Sequence, residues 1–275
     1  MYSGTTIFNH SGNWLGVHQK VNRSSRRSLA THTQLKNFPS LKQIQHFEGK
    51  NGPDGIKSKS PAQDEPWHYY DPFDPDDTNL IGFVAQHYEC LVVGLKRKDL
   101  EKAAFEAAWL SHTLVDGLTP AHHYPYEEEM EDIRGEGKET RTTIKEKIIV
   151  TGGTTSETIK KNWQLYGAKG LMSTHGMFEA GVAMTIAPSK IKLGNPTQEE
   201  LAHVEDIGLE EYFMQTARAI AMLDMYEQFY KRGWTSKLAR QTRNTLMPSI
   251  VKVVTSGWYL ALKEAGMVNK PKQIR

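Results

Sequence analysis

The chain has 275 residues, eleven histidines, a single cysteine (Cys90) and a formal charge of +2. That length can bury a substantial core, and near-neutrality argues against capture of nucleic acid by bulk charge. One cysteine excludes an intrachain disulfide and a cysteine-rich zinc site, so a zinc ion here would depend on His, Asp and Glu.

Met1 to Asn13 is polar and glycine-containing, without a charged start followed by an apolar stretch. It does not read as a secretory signal, so the chain is expected to be cytoplasmic, or secreted if a leader was removed. No apolar run reaches the ~18 residues of a membrane span, so no transmembrane segment is expected. Val17 to Thr31 reads as the first helix, with a basic face of Lys20, Arg23, Arg26 and Arg27. That face is either solvated or a surface for protein, phosphate headgroups or RNA. Phe38 to Pro75, rich in Gly, Pro, Asp and aromatics, reads as a long loop.

Helical periodicity resumes at Thr78 to Gly94, with Thr78 as a plausible N-cap, and Lys98 to Gly117 follows as its antiparallel partner. Glu127 to Lys147 is dense in charge and reads as a solvated loop or exposed helix. Gly167 to Thr185 is a further helix. Thr197 to Arg232 and Thr235 to Gly266 are long, patterned scaffold segments, with Ile220, Leu223, Tyr226 and Tyr230 at helical spacing. No internal repeat and no clear linker is visible, so residues 1–275 read as one all-α domain.

The chemistry concentrates at Ser111 to His122. His112 and Asp116 are four apart and share one helix face. Thr119-Pro120 then ends or bends the helix, so that His122 can return to the same place. Imidazole and carboxylate converging in this way match the ligand preferences of zinc. A second helical pair, His175 and Glu179, repeats the spacing beside Gly176. Trp67-His68-Tyr69-Tyr70-Asp71-Pro72 places another histidine in an aromatic loop, where spacing alone leaves open a packed loop residue or a ligand.

Taken together, these motifs resemble the zinc-dependent phospholipases C and the single-strand-specific nucleases that share their fold. The shared signature is His, Asp four on, Pro eight on and His ten on, matched by His112, Asp116, Pro120 and His122. A helical His followed four later by Glu is matched by His175 and Glu179. An Asp about fourteen residues before a loop His is matched by Asp54 and His68, with Asp64 as a competitor. Trp14 to His18 is similar to the family's first-helix start. The likeness runs from about residue 14 to 180 in the family's order.

The resemblance implies an all-α domain with long loops around a metal cleft, holding two to three zinc ions. One would be bound by Asp54, His68, His112 and Asp116. A neighbour would share Asp116 and use His18, and a third would use His122, His175 and Glu179. Asp54 could also orient or deprotonate a water. His32, His46 and His123 are left as bystanders, although His123 could exchange roles with His122. In the family the N-terminal Trp chelates a zinc through its free amine and carbonyl. Trp14 is internal here, so either the chain is clipped before it, or another group such as His10 completes the site, or that metal binds weakly. The gap from His122 to His175 is longer than the family's, and the charged stretch of about 127–158 could form a lid or rim.

The implied activity is phosphate-ester hydrolysis by a metal-activated water, on the phospholipase C side because of Glu179 and the His68–Pro72 loop. Trp67, Tyr69, Tyr70 and Phe73 could cage a choline headgroup through cation–π contact or stack a base of single-stranded nucleic acid. They could also simply pack the loop. Transient contact with a membrane surface is a further expectation. The alternatives are a single-strand-specific nuclease of the same fold and a metal-stabilised helical module that binds a partner without catalysis.

Overall fold

In the computed structural model, which describes residues 1–4, 14–191 and 194–268, every regular element among those residues is helical. The first helix, α1 (Val17–His32), is followed by two short ones, α2 (Leu41–His46) and α3 (Pro53–Lys57). The long pair α4 (Asn79–Lys96) and α5 (Leu100–Gly117) comes next. Then follow α6 (Tyr126–Arg134), α7 (Ile144–Ile148), α8 (Thr155–Tyr166) and α9 (Leu171–Ile186). The C-terminal part holds α10 (Gln198–Ile207), α11 (Leu209–Ala221), α12 (Met225–Arg232), α13 (Ser236–Gln241) and α14 (Met247–Glu264). No helix among the described residues is long and apolar enough to cross a membrane.

The core forms where α1, α4, α5 and α14 meet. Alanines drive the closest approach: Ala103 and Ala107 on α5 are fully buried, and a Cβ added at Gly94 of α4 would lie 3.1 Å from the Ala103 nitrogen. Small residues on both helices let the backbones come together, as the expected antiparallel pair requires. Trp258 of α14 is fully buried and its indole N–H donates to the Ala107 carbonyl at 3.1 Å. Truncating a buried ring of this kind costs about 3–5 kcal/mol. The Asp99 side chain accepts from the Lys102 N–H and caps α5. Thr78 precedes α4, as the sequence predicts, but its side chain makes no cap bond.

Several elements depart from the sequence reading. The expected loop 38–75 contains α2 and α3, the former closed by a Ser40/Gln43 capping box. The charged stretch 127–147 is largely helical, and α6 and α8 share a small core of Tyr126, Met130, Val150 and Leu165. Its few apolar residues fall where they meet one another, which a charge count conceals. The segment 197–232 is three helices, broken at Gly208 (φ +87°) and at Asp224, which adopts a left-handed φ of 54°. That second break takes Tyr230 out of the expected apolar stripe and leaves it 46% exposed. The segment 235–266 is interrupted by a π-helical turn at Thr242–Leu246. The basic face of α1 is partly engaged inside the fold. Lys20 donates to the Ile186 and Ala187 carbonyls at the end of α9, and Arg26 donates to the Pro39 carbonyl at 2.8 Å.

Candidate metal centre

The C-terminal end of α5 builds the centre. Gly117 lets this end press against α4 and α11, because a Cβ there would come within 2.5 Å of both Leu80 and Phe213. The Thr119 N–H then donates to the Asp116 carbonyl at 2.8 Å, and Pro120 opens a single 3-10 turn, Pro120–His123. This turn brings His122 back beside Asp116, with its Nδ1 4.0 Å from Asp116 Oδ1. Asp116 is 1% exposed.

Each oxygen of Asp116 faces a different group. Oδ2 lies 2.8 Å from His68 Nδ1 and 3.0 Å from His112 Nε2. Asp54 Oδ1, from α3, is 3.9 Å from that same His112 nitrogen. Oδ1 lies 3.3 Å from His18 Nε2 and 2.5 Å from the amino nitrogen of Met1. The Met1 carbonyl is in turn 2.7 Å from His18 Nε2. Residues 1–4 are held there by the first turn of α1, where the Val17 N–H donates to the Tyr2 carbonyl at 2.8 Å and Gln19 donates to Ser3.

The third group lies on α9 and the turn. Glu179 Oε1 is 3.0 Å from His122 Nε2, 3.1 Å from His175 Nε2 and 3.3 Å from the Met1 amine. Three sets have donor atoms close enough to share one ion: Asp54, His68 and His112; His122, His175 and Glu179; and His18, Glu48 and His112.

The donor chemistry fits a cation. His122 Nδ1 faces the His68 carbonyl at 2.9 Å, and a carbonyl only accepts, so that nitrogen carries the proton. Burial, reinforced by the Met1 ammonium, holds the His122 pKa down to about 4, so its Nε2 offers a lone pair at neutral pH. That lone pair faces a Glu179 oxygen at 3.0 Å. Burial pushes the Glu179 carboxyl up, but the opposing charge, foremost the Met1 ammonium, holds it well below the carboxylate range. Two acceptors at this distance call for a positive charge between them. His68 Nε2 and His18 Nδ1 are buried without a hydrogen-bond partner. Burial, with the Lys57 charge, lowers the His68 pKa to about 4. Burial also raises the Asp116 carboxyl, yet the Met1 ammonium and His112 hold it well below its ordinary value.

Three features escape sequence reasoning. Glu48 is buried, accepts the Gly49 N–H, and sits 2.9 Å from His112 Nδ1, so it orients that ring with Nε2 toward Asp116. Nothing in its spacing ties it to α5. Lys57 follows Asp54 by three residues on α3; burial lowers its pKa, but Glu65 and Asp54 outweigh this and keep it protonated. Its Nζ lies 5.9 Å from the centre of the Tyr69 ring. The Met1 amine and carbonyl lie at Asp116 and His18, whereas Trp14 is 58% exposed and His10 lies outside the described residues.

Of the other candidates, Asp64 is exposed on the surface, while Asp54 reaches the cluster. Tyr69 packs on His122 (5.5 Å between ring centres) and stacks on Tyr126 (5.0 Å), with Trp67 against its edge at 5.9 Å. Tyr70 is buried against Phe213, and Phe73 is 65% exposed beside Pro72 and His123, so the structure groups neither with Tyr69 at the cluster. His123 points away, 2.8 Å from the Gly117 carbonyl, and His32 binds Asn195 at 2.9 Å.

No family model and no curated protein matches the chain. Among solved structures, the chain is similar to the crystal structure of alpha-toxin from Clostridium perfringens, isolated from avian strain SWCP. The TM-score is 0.55 at 13% identity, over 97% of this chain. The match covers 65% of the alpha-toxin chain, so this chain spans just under two thirds of its length. At that identity the likeness shows the fold: an all-α architecture of the phospholipase C type.

Proposed function

We propose that the chain is a zinc-dependent phosphoric ester hydrolase, a phospholipase C-like phosphodiesterase. The supporting observation is Asp116, a single buried carboxylate with His68 and His112 on one oxygen and His18 and the Met1 amine on the other. Such a carboxylate suits two adjacent cations. Asp54, His68, His112 and Asp116 would hold one zinc, and Asp116, His18 and the amine and carbonyl of Met1 its neighbour. His122, His175 and Glu179 would hold the third. When bound, zinc polarises phosphoryl oxygens and lowers the pKa of a coordinated water to about 7.

The chain's own groups divide the remaining work. The Asp54 side chain is 24% exposed against 2% for Asp116, so it is the acid of this pair open to an incoming water, whose proton its carboxylate accepts. The Lys57 ammonium, one turn along α3, meets the negative charge of the phosphate. Glu48 and the His68 carbonyl fix the orientations of His112 and His122. The stacked Tyr69 and Tyr126 rings pack beside His122 and His175 and would flank a bound substrate. Glu179, together with a fold of the phospholipase C type, favours a phospholipid headgroup over single-stranded nucleic acid.

Asp116→Asn tests this reading. The variant should retain helical circular dichroism and lose hydrolysis of a chromogenic phosphodiester and of short-chain phosphatidylcholine. Undiminished turnover in the variant, or turnover of single-stranded DNA but not of lipid in the parent, would overturn the phospholipase assignment.

A further inference from the structure

The α7–α8 rim presents large apolar side chains to solvent. Ile144, Ile148, Ile149, Ile159, Trp163 and Tyr166 are each between 43% and 69% exposed. On α8 the last three follow at i, i+4 and i+7, so they form one stripe. The other side of α8 is anchored: Leu165 is fully buried with Tyr126, Met130 and Val150. Asn162 accepts from the Val150 N–H at 3.3 Å and donates to its carbonyl at 2.7 Å. The Tyr166 hydroxyl donates to the Ile148 carbonyl at 2.6 Å. The end of α7 and the length of α8 are therefore fastened to each other, and both expose apolar side chains.

Charge on this unit is net positive, with Glu129 of α6 and Glu227 of α12 lining the hollow beside Trp163 and Lys169. Residues 143–169 contain five lysines and two glutamates. Both glutamates are engaged: Glu146 in the Thr143 capping box, and Glu157 with the Gly153 N–H at 2.8 Å and Lys161 at 3.2 Å. Lys145, Lys160 and Lys169 are exposed, with the Lys169 Nζ 5.3 Å from the centre of the Tyr230 ring. The unit also lies near the histidine–carboxylate cluster. Lys147 binds Glu65 and the carbonyls of Lys57 and Ser60, next to the helix that carries Asp54. On the other side, Tyr126 lies beneath α8 and stacks on Tyr69.

We propose that this face docks onto an anionic lipid surface. Ile148, Ile159 and Trp163 enter the headgroup region, and Lys145, Lys160 and Lys169 lie against lipid phosphates and carboxylates. Isoleucine and tryptophan gain by leaving water, and tryptophan and tyrosine suit a boundary with one apolar and one wet side. Each lysine held close to an anionic bilayer strengthens partitioning by about fivefold, the equivalent of ~1 kcal/mol. The inference goes beyond the hydrolase reading and rests on it only for what the docked protein would act on.

The test is flotation of the full chain with phosphatidylcholine vesicles containing phosphatidylserine, at low and at high salt, beside the double variant Ile159→Ser/Trp163→Ser and the triple variant Lys145→Gln/Lys160→Gln/Lys169→Gln. The parent should float, and high salt should weaken it. Each variant should lose at least about tenfold in partitioning while keeping the parent's melting temperature and its turnover of a soluble phosphodiester. Binding is read without turnover, so an inactive protein that still floats would refute the hydrolase reading and leave this one standing. A parent that does not float, variants that float equally well, equal affinity for pure phosphatidylcholine vesicles, or a concentration-dependent dimer that the double variant abolishes would each overturn the proposal.

Discussion

Glu48 Oε1 lies 2.9 Å from His112 Nδ1, so a carboxylate in the loop ahead of α3 orients an imidazole on α5. A carboxylate behind a metal-binding histidine fixes the ring and raises its basicity, and its loss lowers metal affinity about 10–100-fold. Glu48→Gln should therefore weaken zinc binding by that factor in a competition titration with a chromophoric chelator. Unchanged affinity would make Glu48 a packing residue only.

Met1 carries the second expectation. Its amine, raised to about 10 because Asp116 and Glu179 outweigh the effect of burial, lies between those two carboxylates. A free amine can give up its proton and bind a metal; an amide nitrogen cannot. A chain with a free Met1 amine should bind one more zinc than a chain with Gly-Ser fused ahead of Met1. Elemental analysis of the two proteins reads the difference.

A third concerns stability. Gly117→Ala puts a methyl within 2.5 Å of Leu80 and Phe213, both fully buried. Overpacking of this kind costs about 1–3 kcal/mol, and relief by backbone movement would displace Asp116. Thermal melting should show a loss of stability together with weaker zinc binding.

Metal removal gives a fourth. Buried carboxylates and lone pairs facing one another destabilise the metal-free fold, and a ligand that binds only the folded state stabilises it by mass action. Chelator treatment should lower the melting temperature, and stoichiometric zinc should restore it. Magnesium, a poor match for imidazole nitrogen, should not.

The parts of the centre legible in the sequence are those set by local geometry. His112 and Asp116, and His175 and Glu179, announce themselves through four-residue spacing on long helices, and Thr119-Pro120 signals the turn that returns His122. Spacing to His68 favours Asp54 over its competitor Asp64, and in the fold Asp54 Oδ1 lies 3.9 Å from His112 Nε2 while Asp64 is on the surface. Glu48 and Met1 were illegible because the packing of a loop and a chain end brings them to α5, and no periodicity records such packing. The helices α6 to α8 were hidden for a related reason. They share only a handful of buried residues, among them Met130 and Leu165, within a sequence dominated by charge.

The most direct measurement is the zinc content of the purified, untagged chain, taken with hydrolysis of a chromogenic phosphodiester in the same sample before and after chelation. Two to three zinc ions per chain are expected, with turnover that chelation abolishes and added zinc restores. A chain that binds no zinc would contradict this, and a chain that holds zinc without turnover would leave a metal-stabilised helical module in place of an enzyme.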